Sequence, residues 1–312
     1  MMNRILDDIS GEKEGPLVIL VAGIHGNETV GIDAAKDIFR KIRDHKVHLN
    51  GRLIGILGNL QAIATNQRFL AYDLNRAWKE DYINLVSEKS DHFAHPEDRE
   101  LKELHLTVDE LLAGDTHEEK ILVDLHATSS DKGNFIIVPE AEADHDIVKA
   151  LHLPVVIDME KYLEGTLLNY YQHHGVISFA FEGGLIGSKE AVELHESGIW
   201  EILDTAGMIS HHDHEEVDHY EKKLRAISDS LPSKVKAFYR HWVDREDEFV
   251  MKPGFSNFQE IEKGQLLARD KHGPIFAPAG GMIFMPLYQD SGNDGFFLVQ
   301  ELTREEPVNL YE

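Results

Sequence analysis

The sequence contains no cysteine among its 312 residues. This excludes disulfide bonds, thiolate zinc sites and a cysteine nucleophile, and it is typical of chains kept in a reducing cytoplasm. Long apolar runs are also missing, because the longest, Leu17–Ile24, is far shorter than the roughly 20 residues that span a bilayer. The first residues are polar and lack the apolar core of a signal peptide. We therefore expect a soluble, cytoplasmic protein that does not act at a membrane.

Positive charge is scarce. The chain has 31 lysines and arginines against 56 aspartates and glutamates, a formal net charge of −25. Such a surface repels phosphate backbones, so we expect no nucleic-acid partner. It also repels acidic substrates, so a carboxylate-binding site must contain a local cluster of cations. The motifs G-x-S-x-G, G-x-x-x-x-G-K-[ST] and G-x-G-x-x-G are absent, which disfavours serine hydrolases, P-loop proteins and dinucleotide-binding enzymes.

The first two hundred residues alternate between strand and helix patterns. Leu17–Ile24 is a short apolar run that predicts a buried strand, and Thr29–Arg43 has the apolar spacing of a helix. Further strands are predicted at Arg52–Gly58, Lys120–Ala127, Asn134–Pro139, Leu153–Met159 and Val176–Phe181, and a further helix at Ser188–Ile209. This alternation predicts an α/β sheet with helices on its faces.

The pattern changes after about residue 210. A charged, histidine-rich stretch comes first, followed by a possible helix and then by short strands separated by glycine and proline. We therefore expect an α/β domain at 1–210, and a linker with a small C-terminal β domain at 211–312. The stretch contains His211, His212, His214 and His219. It lacks the spacing of a zincin motif, so a solvated acidic linker is the better interpretation, and whether it binds metal stays open.

A candidate metal site follows the first buried strand. His25 and Glu28 are three residues apart directly after that strand, where ligands commonly bind in α/β proteins. Imidazole and carboxylate suit zinc, and a catalytic zinc uses three protein ligands. His126, at the end of another predicted strand, is the natural third ligand. Asp124, two residues earlier on the same face of that strand, could orient its imidazole.

Two further signals are polar residues in a loop and at a strand end. Arg68, Asn75 and Arg76 could hold a carboxylate or a developing oxyanion, although a surface ion pair and a helix cap explain the same residues. Glu182 ends an apolar strand before two glycines, a position where desolvation raises a carboxyl pKa and suits a general base. A strand-end glutamate in a turn is the alternative.

In this order and spacing, the motifs resemble the succinylglutamate desuccinylase/aspartoacylase family, a branch of the zinc carboxypeptidase superfamily. The family pattern is G-x-H-G-N-E, then D-x-N-R, then D-L-H, then a strand ending in E. This sequence carries it as His25 and Glu28, as Asp73, Asn75 and Arg76, as Asp124 and His126, and as Glu182. The resemblance implies a zinc-carboxypeptidase-like mixed sheet flanked by helices, with a smaller C-terminal β domain.

The resemblance also implies an activity, namely removal of an acyl group from a small acidic N-acyl amino acid, with one zinc ion per chain. Position by position, it implies that His25, Glu28 and His126 bind the zinc ion. It also implies that Glu182 is the general base and that Arg68 polarises the scissile carbonyl. Asn75 and Arg76 would bind the substrate carboxylate. Gln172 stands where aspartoacylases have an arginine, and Phe296 and Phe297 align with their catalytic tyrosine, which favours a desuccinylase-like substrate.

Two other functions fit the same residues. One is a zinc carboxypeptidase acting on peptides or cell-wall fragments, which needs a more open cleft. The other is a catalytically silent binding protein, which the presence of every metal and base residue disfavours. The sequence leaves the acyl group, the amino acid and any oligomeric assembly open.

Overall fold

A computed structural model describes residues 2–89, 92–117, 119–128, 133–209, 218–288 and 292–302. Its strands are β1 (Ile5–Ser10), β2 (Lys13–Ala22), β3 (Asn50–Leu57), β4 (Lys120–Thr128), β5 (Phe135–Ile137), β6 (Val155–Ile157), β7 (Ile177–Leu185), β8 (Lys234–Trp242), β9 (Val250–Met251), β10 (Gln259–Ile261), β11 (Leu266–Asp270), β12 (Gly273–Phe276), β13 (Gly281–Phe284) and β14 (Asp294–Glu301). Its α-helices are α1 (Val30–Asp44), α2 (Leu60–Thr65), α3 (Glu80–Ser87), α4 (Pro96–Ala113), α5 (Asp146–Ala150), α6 (Leu167–His173), α7 (Lys189–Thr205) and α8 (Asp218–Ser228).

One mixed sheet dominates the described part of the chain. Its eleven strands lie in the order β1-β3-β2-β4-β7-β5-β6-β8-β14-β13-β10. Strands β3, β2, β4 and β7 are mutually parallel, whereas β5 runs antiparallel to β7. The carboxyl ends of β2, β4 and β7 therefore lie at one edge, and the predicted site residues follow or end these strands.

Helices cover both faces of this sheet because its central strands are apolar on both sides. In β2, Val18 and Leu20 pack with α1 and α7 in one core, whereas Leu17 and Ile19 pack with α3 and α4 in another. All four side chains are fully buried. A strand that is buried on both faces is a continuous apolar run, which is why the sequence marks it so clearly.

The first strand is a feature that the sequence does not mark. β1 pairs antiparallel with β3 at the edge of the sheet, and Asp7 and Asp8 interrupt its apolar pattern. Both carboxylates are paired, Asp7 with Arg43 at 2.5 Å and Asp8 with Arg52 at 2.7 Å. An edge strand with charged residues is a common way to limit pairing with other chains.

The segments after residue 217 are mostly strands. β8 pairs with β6 in the large sheet, and β14, β13 and β10 continue it with antiparallel pairing. β12, β11 and β9 form a separate three-stranded sheet. The predicted fold class, a mixed sheet flanked by helices with a smaller β part, is confirmed, and the boundary at residue 210 stays a prediction. In the described ranges no helix is long and apolar enough to cross a bilayer.

Candidate active site

The turn after β2 carries the first two predicted metal ligands. The Glu28 amide donates to the His25 carbonyl at 3.0 Å, so both side chains leave one tight turn. Between them, a Cβ on Gly26 would stand 2.1 Å from the backbone of Ala62, so only glycine fits there. The Gly26 amide also donates to the Arg68 carbonyl at 3.1 Å. This turn is therefore fastened to the loop that carries Arg68.

The other two predicted residues of the centre lie on adjacent strands. His126 on β4 and Glu182 on β7 are direct partners in the parallel register. Both are nearly buried, with 4% and 7% of their surface exposed. Because β2 and β4 are also neighbours, the sheet brings His25 and Glu28 to the same place.

The three predicted ligands form a compact donor set. His25 Nδ1 lies 2.9 Å from Glu28 Oε1, and His126 Nδ1 lies 2.9 Å from Glu28 Oε2. Of the residues that the structure describes, these three form a cluster whose donor atoms all lie within 4.8 Å of one another. His25 Nδ1 is buried, and its contact with Glu28 lacks the geometry of a hydrogen bond. Both Nδ1 atoms thus face a common carboxylate at a spacing that a metal ion could occupy.

The opposite nitrogen of each imidazole contacts a carboxylate. Asp124 Oδ2 lies 2.8 Å from His126 Nε2, and Asp73 Oδ1 lies 3.1 Å from His25 Nε2. Such contacts fix the tautomer and the orientation of a metal-binding histidine. The Asp124 contact agrees with the position predicted for it. The Asp73 contact is one that its motif does not reveal, because the two residues are far apart in the chain.

Burial and charge act in opposite directions on these groups. Burial opposes ionisation of Glu28, but the neighbouring His25 and His126 outweigh it and hold its pKa well below the ordinary value. Burial also opposes protonation of His126, but Asp124 and Glu28 outweigh it and raise its pKa. For Glu182 burial prevails and raises the pKa to about 7. A carboxyl with that pKa can accept a proton near neutral pH, as a general base must.

Arg68 lies beside the metal ligands. Its guanidinium is 3.1 Å from Glu28 Oε1 and 3.4 Å from Asp73 Oδ2, and 14% of its side chain is exposed. Its Nε is buried and has no hydrogen-bond partner within the described residues. Burial disfavours its charge, yet Asp73 and Glu28 outweigh burial and raise its pKa. The side chain is therefore a fixed cation with one unused donor next to the centre.

Asn75 and Arg76 lie in a short 3₁₀ helix, Leu74–Arg76, capped by the Asp73 side chain. The Asn75 amide nitrogen is 3.3 Å from Asp124 Oδ2, and its oxygen accepts from the Leu167 amide at 2.8 Å. These contacts hold the residue between β4 and α6. Arg76 donates to the Asn75 carbonyl at 2.8 Å and keeps 29% of its side chain exposed.

Two residues that the sequence analysis missed complete this region. Asp294, at the start of β14, lies 3.2 Å from Arg76 and 2.5 Å from Arg240 on β8. Asp294 is 218 residues from Arg76 along the chain and belongs to no local motif. The sequence gives one weak signal for Asp294. Arginine is scarce in so acidic a chain, so each arginine is usually paired with a carboxylate.

Gln172, Phe296 and Phe297, on which the substrate expectation rests, do not line the cavity at the predicted site. Phe296 and Phe297 are fully buried in two cores, and Gln172 lies on α6 outside the cavity lining. His211, His212 and His214 fall outside the described residues, and His219 lies on α8.

A cavity of about 110 Å³, partly open to solvent, joins the predicted residues. Its lining includes every predicted metal, base and substrate residue: His25, Glu28, Arg68, Asn75, Arg76, His126 and Glu182. The lining also includes residues from 137–139, 159–169 and 285–287, together with Gly292 and Asp294, so parts distant in sequence enclose it. The mixed α/β sheet thus carries this donor set at the carboxyl edge of its parallel strands, next to a cavity that a small ligand could enter.

Comparison with known proteins identifies the family of the chain. The sequence profile of the Succinylglutamate desuccinylase/Aspartoacylase catalytic domain matches residues 14–196. A succinylglutamate desuccinylase of Ectopseudomonas mendocina is 26% identical over 268 residues, covering 81% of this chain and 73% of that protein. One of Photorhabdus laumondii is 35% identical over 81 residues, covering 26% of this chain and only 25% of that protein's length.

A solved structure supports the same placement of the fold. The crystal structure of a succinylglutamate desuccinylase/aspartoacylase from Rhodobacter sphaeroides has a TM-score of 0.68 at 17% identity, covering 95% of this chain and 88% of that chain. The chain belongs to the succinylglutamate desuccinylase/aspartoacylase family.

Proposed function

We propose that this protein is a zinc-dependent amidohydrolase that removes the acyl group from a small N-acyl amino acid. The observation that carries the proposal is the arrangement of His25, Glu28 and His126. Both Nδ1 atoms face the Glu28 carboxylate at 2.9 Å, while both Nε2 atoms contact other carboxylates. His25 Nδ1 is buried and its contact with Glu28 lacks hydrogen-bond geometry, which fits this assignment, because a buried polar nitrogen normally has a hydrogen bond.

Imidazole and carboxylate donors of this number suit zinc, which would leave one coordination position open. When bound, zinc supplies a Lewis acid that acidifies water and polarises a carbonyl oxygen. Asp73 and Asp124 would hold the two imidazoles in the ligating orientation. The residues therefore fit the group that the family implies.

The protein's own residues can then divide the work of amide hydrolysis. Glu182 accepts the proton of the attacking water and returns it to the leaving amine, since its pKa of about 7 permits both steps. Arg68 donates to the oxyanion through its free Nε. Arg76 binds the carboxylate of the amino acid, using the exposed part of its guanidinium.

The test measures metal content and activity together. We expect stoichiometric zinc in the purified protein and its loss from a His25→Ala, His126→Ala variant. His272→Ala, an exposed histidine in the turn between β11 and β12, is the matched control. A background with the histidines of 211–219 replaced removes adventitious binding there. Equal zinc in wild type and the double variant would overturn the metal assignment.

The activity assay screens N-acetyl, N-formyl and N-succinyl amino acids together with short peptides. Glu182→Gln should retain zinc and lower turnover by a factor of about 10² to 10⁴, the usual worth of general acid–base catalysis. Glu164→Gln, a 75% exposed glutamate paired with Lys79, should change turnover less than twofold. Hydrolysis of peptides alone would favour the carboxypeptidase alternative, and zinc binding without any hydrolysis would favour a silent binding protein.

A further inference from the structure

The walls of the cavity have a composition that bears on the substrate. Five apolar side chains of the lining belong to one packed cluster: Ile137, Met159, Leu163, Leu168 and Ala180. Each has 7% or less of its surface exposed. Ala180 lies two residues before Glu182 on β7, so both point to the same face of the strand, and Ile137 is its partner in register. An apolar wall therefore begins directly beside the proposed base.

This wall also adjoins the proposed carboxylate-binding residue. The segment that supplies Leu163 and Leu168 is joined to the loop of Arg76 by two hydrogen bonds, from the Trp78 amide to the Gly165 carbonyl at 3.0 Å and from Leu167 to Asn75 at 2.8 Å. A substrate side chain is attached to the same carbon as the carboxylate. When Arg76 binds that carboxylate, the side chain consequently lies near the wall.

The charged residues that line the cavity also bear on the substrate side chain. Within the described lining the full cations are Arg68 and Arg76, and both already contact carboxylates of the protein. Glu160 adds negative charge to the same lining, whereas the carboxylate of Asp294 is paired with Arg76 and Arg240. A second substrate carboxylate would be desolvated there without a cation of its own, which is strongly unfavourable.

We infer that the amino-acid side chain of the substrate is uncharged and apolar, so that the substrate is an N-acyl amino acid with a single carboxylate. The inference rests on the proposed function and narrows its substrate class. It departs from the acidic amino acid that the family resemblance implies. Burial of an aliphatic or thioether side chain against this wall supplies the selectivity.

The experiment compares three ligands of nearly equal length: N-acetylmethionine, N-acetylglutamine and N-acetylglutamate. Their side chains end in a thioether, an amide and a carboxylate. For the zinc-loaded wild type we expect kcat/KM to fall in that order. N-acetylmethionine should be favoured over N-acetylglutamate by at least about tenfold, a ratio within the range by which an apolar pocket discriminates between small substrates. N-acetyllysine tests whether the acidic lining residues select a cation instead.

Binding is measured separately by calorimetry with zinc-loaded Glu182→Gln, which keeps the pocket and slows turnover. The same order of Kd is expected. If that order holds while wild type hydrolyses nothing, the proposed function fails and the inference stands. Tightest binding of N-acetylglutamate or N-acetyllysine overturns the inference, as does the absence of binding by all of the ligands.

A pair of leucine variants locates the effect. Leu163→Ala should weaken binding of N-acetylmethionine about tenfold and change that of N-acetylglutamate less than threefold, because it removes apolar contact only. Leu266→Ala, a 39% exposed leucine on β11, should leave all Kd values unchanged. Equal losses for both ligands in Leu163→Ala would contradict a wall that contacts the side chain.

Discussion

A buried glutamate of helix α4 is expected to hold the loop that carries Arg68. Glu97 lies in the first turn of the helix and is fully buried. One of its oxygens accepts from the Leu70 amide at 2.7 Å, and the other accepts from the Ala71 amide at 3.1 Å. Asn59 approaches the first oxygen at 3.4 Å. The perturbation that tests this contact is Glu97→Gln, which keeps the shape and removes one acceptor.

The expected loss of stability follows from the number of backbone amide donors that keep an acceptor. A glutamine has one side-chain oxygen, so one of the two backbone amides must face an NH₂ group and loses its partner. An unsatisfied buried donor costs about 1–3 kcal/mol, and a hydrogen bond to a charged acceptor contributes about 1.5–3 kcal/mol. We therefore expect Glu97→Gln to lower the free energy of unfolding by about 2–4 kcal/mol.

Urea unfolding, followed by circular dichroism, measures this change at constant m-value. Glu103→Gln on the same helix is the matched control, because Glu103 is 51% exposed and only joins the Arg4 ion pair at 3.1 Å. That control should cost less than about 0.5 kcal/mol. A loss below 0.5 kcal/mol in Glu97→Gln as well would refute the view that this carboxylate fastens the loop.

Three further predictions concern the site and the surface. Arg76→Ala should raise KM with little change in kcat, whereas Arg68→Ala should lower kcat, because only Arg68 meets charge that develops in the transition state. Asp124→Asn should weaken zinc binding about 10- to 100-fold in a chelator competition, because it removes the charge behind His126. Burial raises the pKa of Glu201 to about 7 from an ordinary 4.5, so the folded state binds its proton more tightly and stability is lost as the pH rises between these values. Glu201→Gln should therefore match wild type below pH 4.5 and be more stable above pH 7, by up to about 1 kcal/mol after screening by solvent.

Each of these has an outcome that would contradict it. Normal kinetics in both arginine variants would place the anion-binding groups elsewhere. Unchanged zinc affinity in Asp124→Asn, with the exposed Asp33→Asn as control, would remove its orienting role. A stability difference for Glu201→Gln that does not vary with pH would show that its carboxyl titrates normally.

The sequence predicts the parts of the fold that repeat a local pattern. The doubly buried strands β2 and β4 and the amphipathic helix α1 stand close to their predicted positions because burial on defined faces determines the residue type at every position. β1 was not predicted, since an edge strand is buried on one side only and its two aspartates remove the alternation. Edge positions carry too little burial to leave a clear pattern.

The same distinction applies to the site. Residues close to strand ends, such as His25 after β2 and His126 in β4, are marked by their local motifs, and parallel pairing then brings them together. Asp294 and Arg240 join this region through contacts across the chain, which no spacing reveals. Glu97 resembles any acidic residue in the first turn of a helix, where the helix dipole favours it. Its second role depends on a loop whose path the sequence does not specify.

Helix α4 explains how so acidic a chain builds a site around arginine. Three acidic residues of its first two turns are buried, and each binds a different segment: Glu97 binds the loop after Arg68, Asp98 accepts from the hydroxyls of Tyr72 and Tyr82, and Glu100 pairs with Arg4. Glu97 and Asp98 bind residues of the loop, whereas Glu28 and Asp73 contact the guanidinium of Arg68. Carboxylates thus bind both the backbone of the loop and its arginine. Its position is consequently set before substrate binds, as electrostatic stabilisation of a transition state requires.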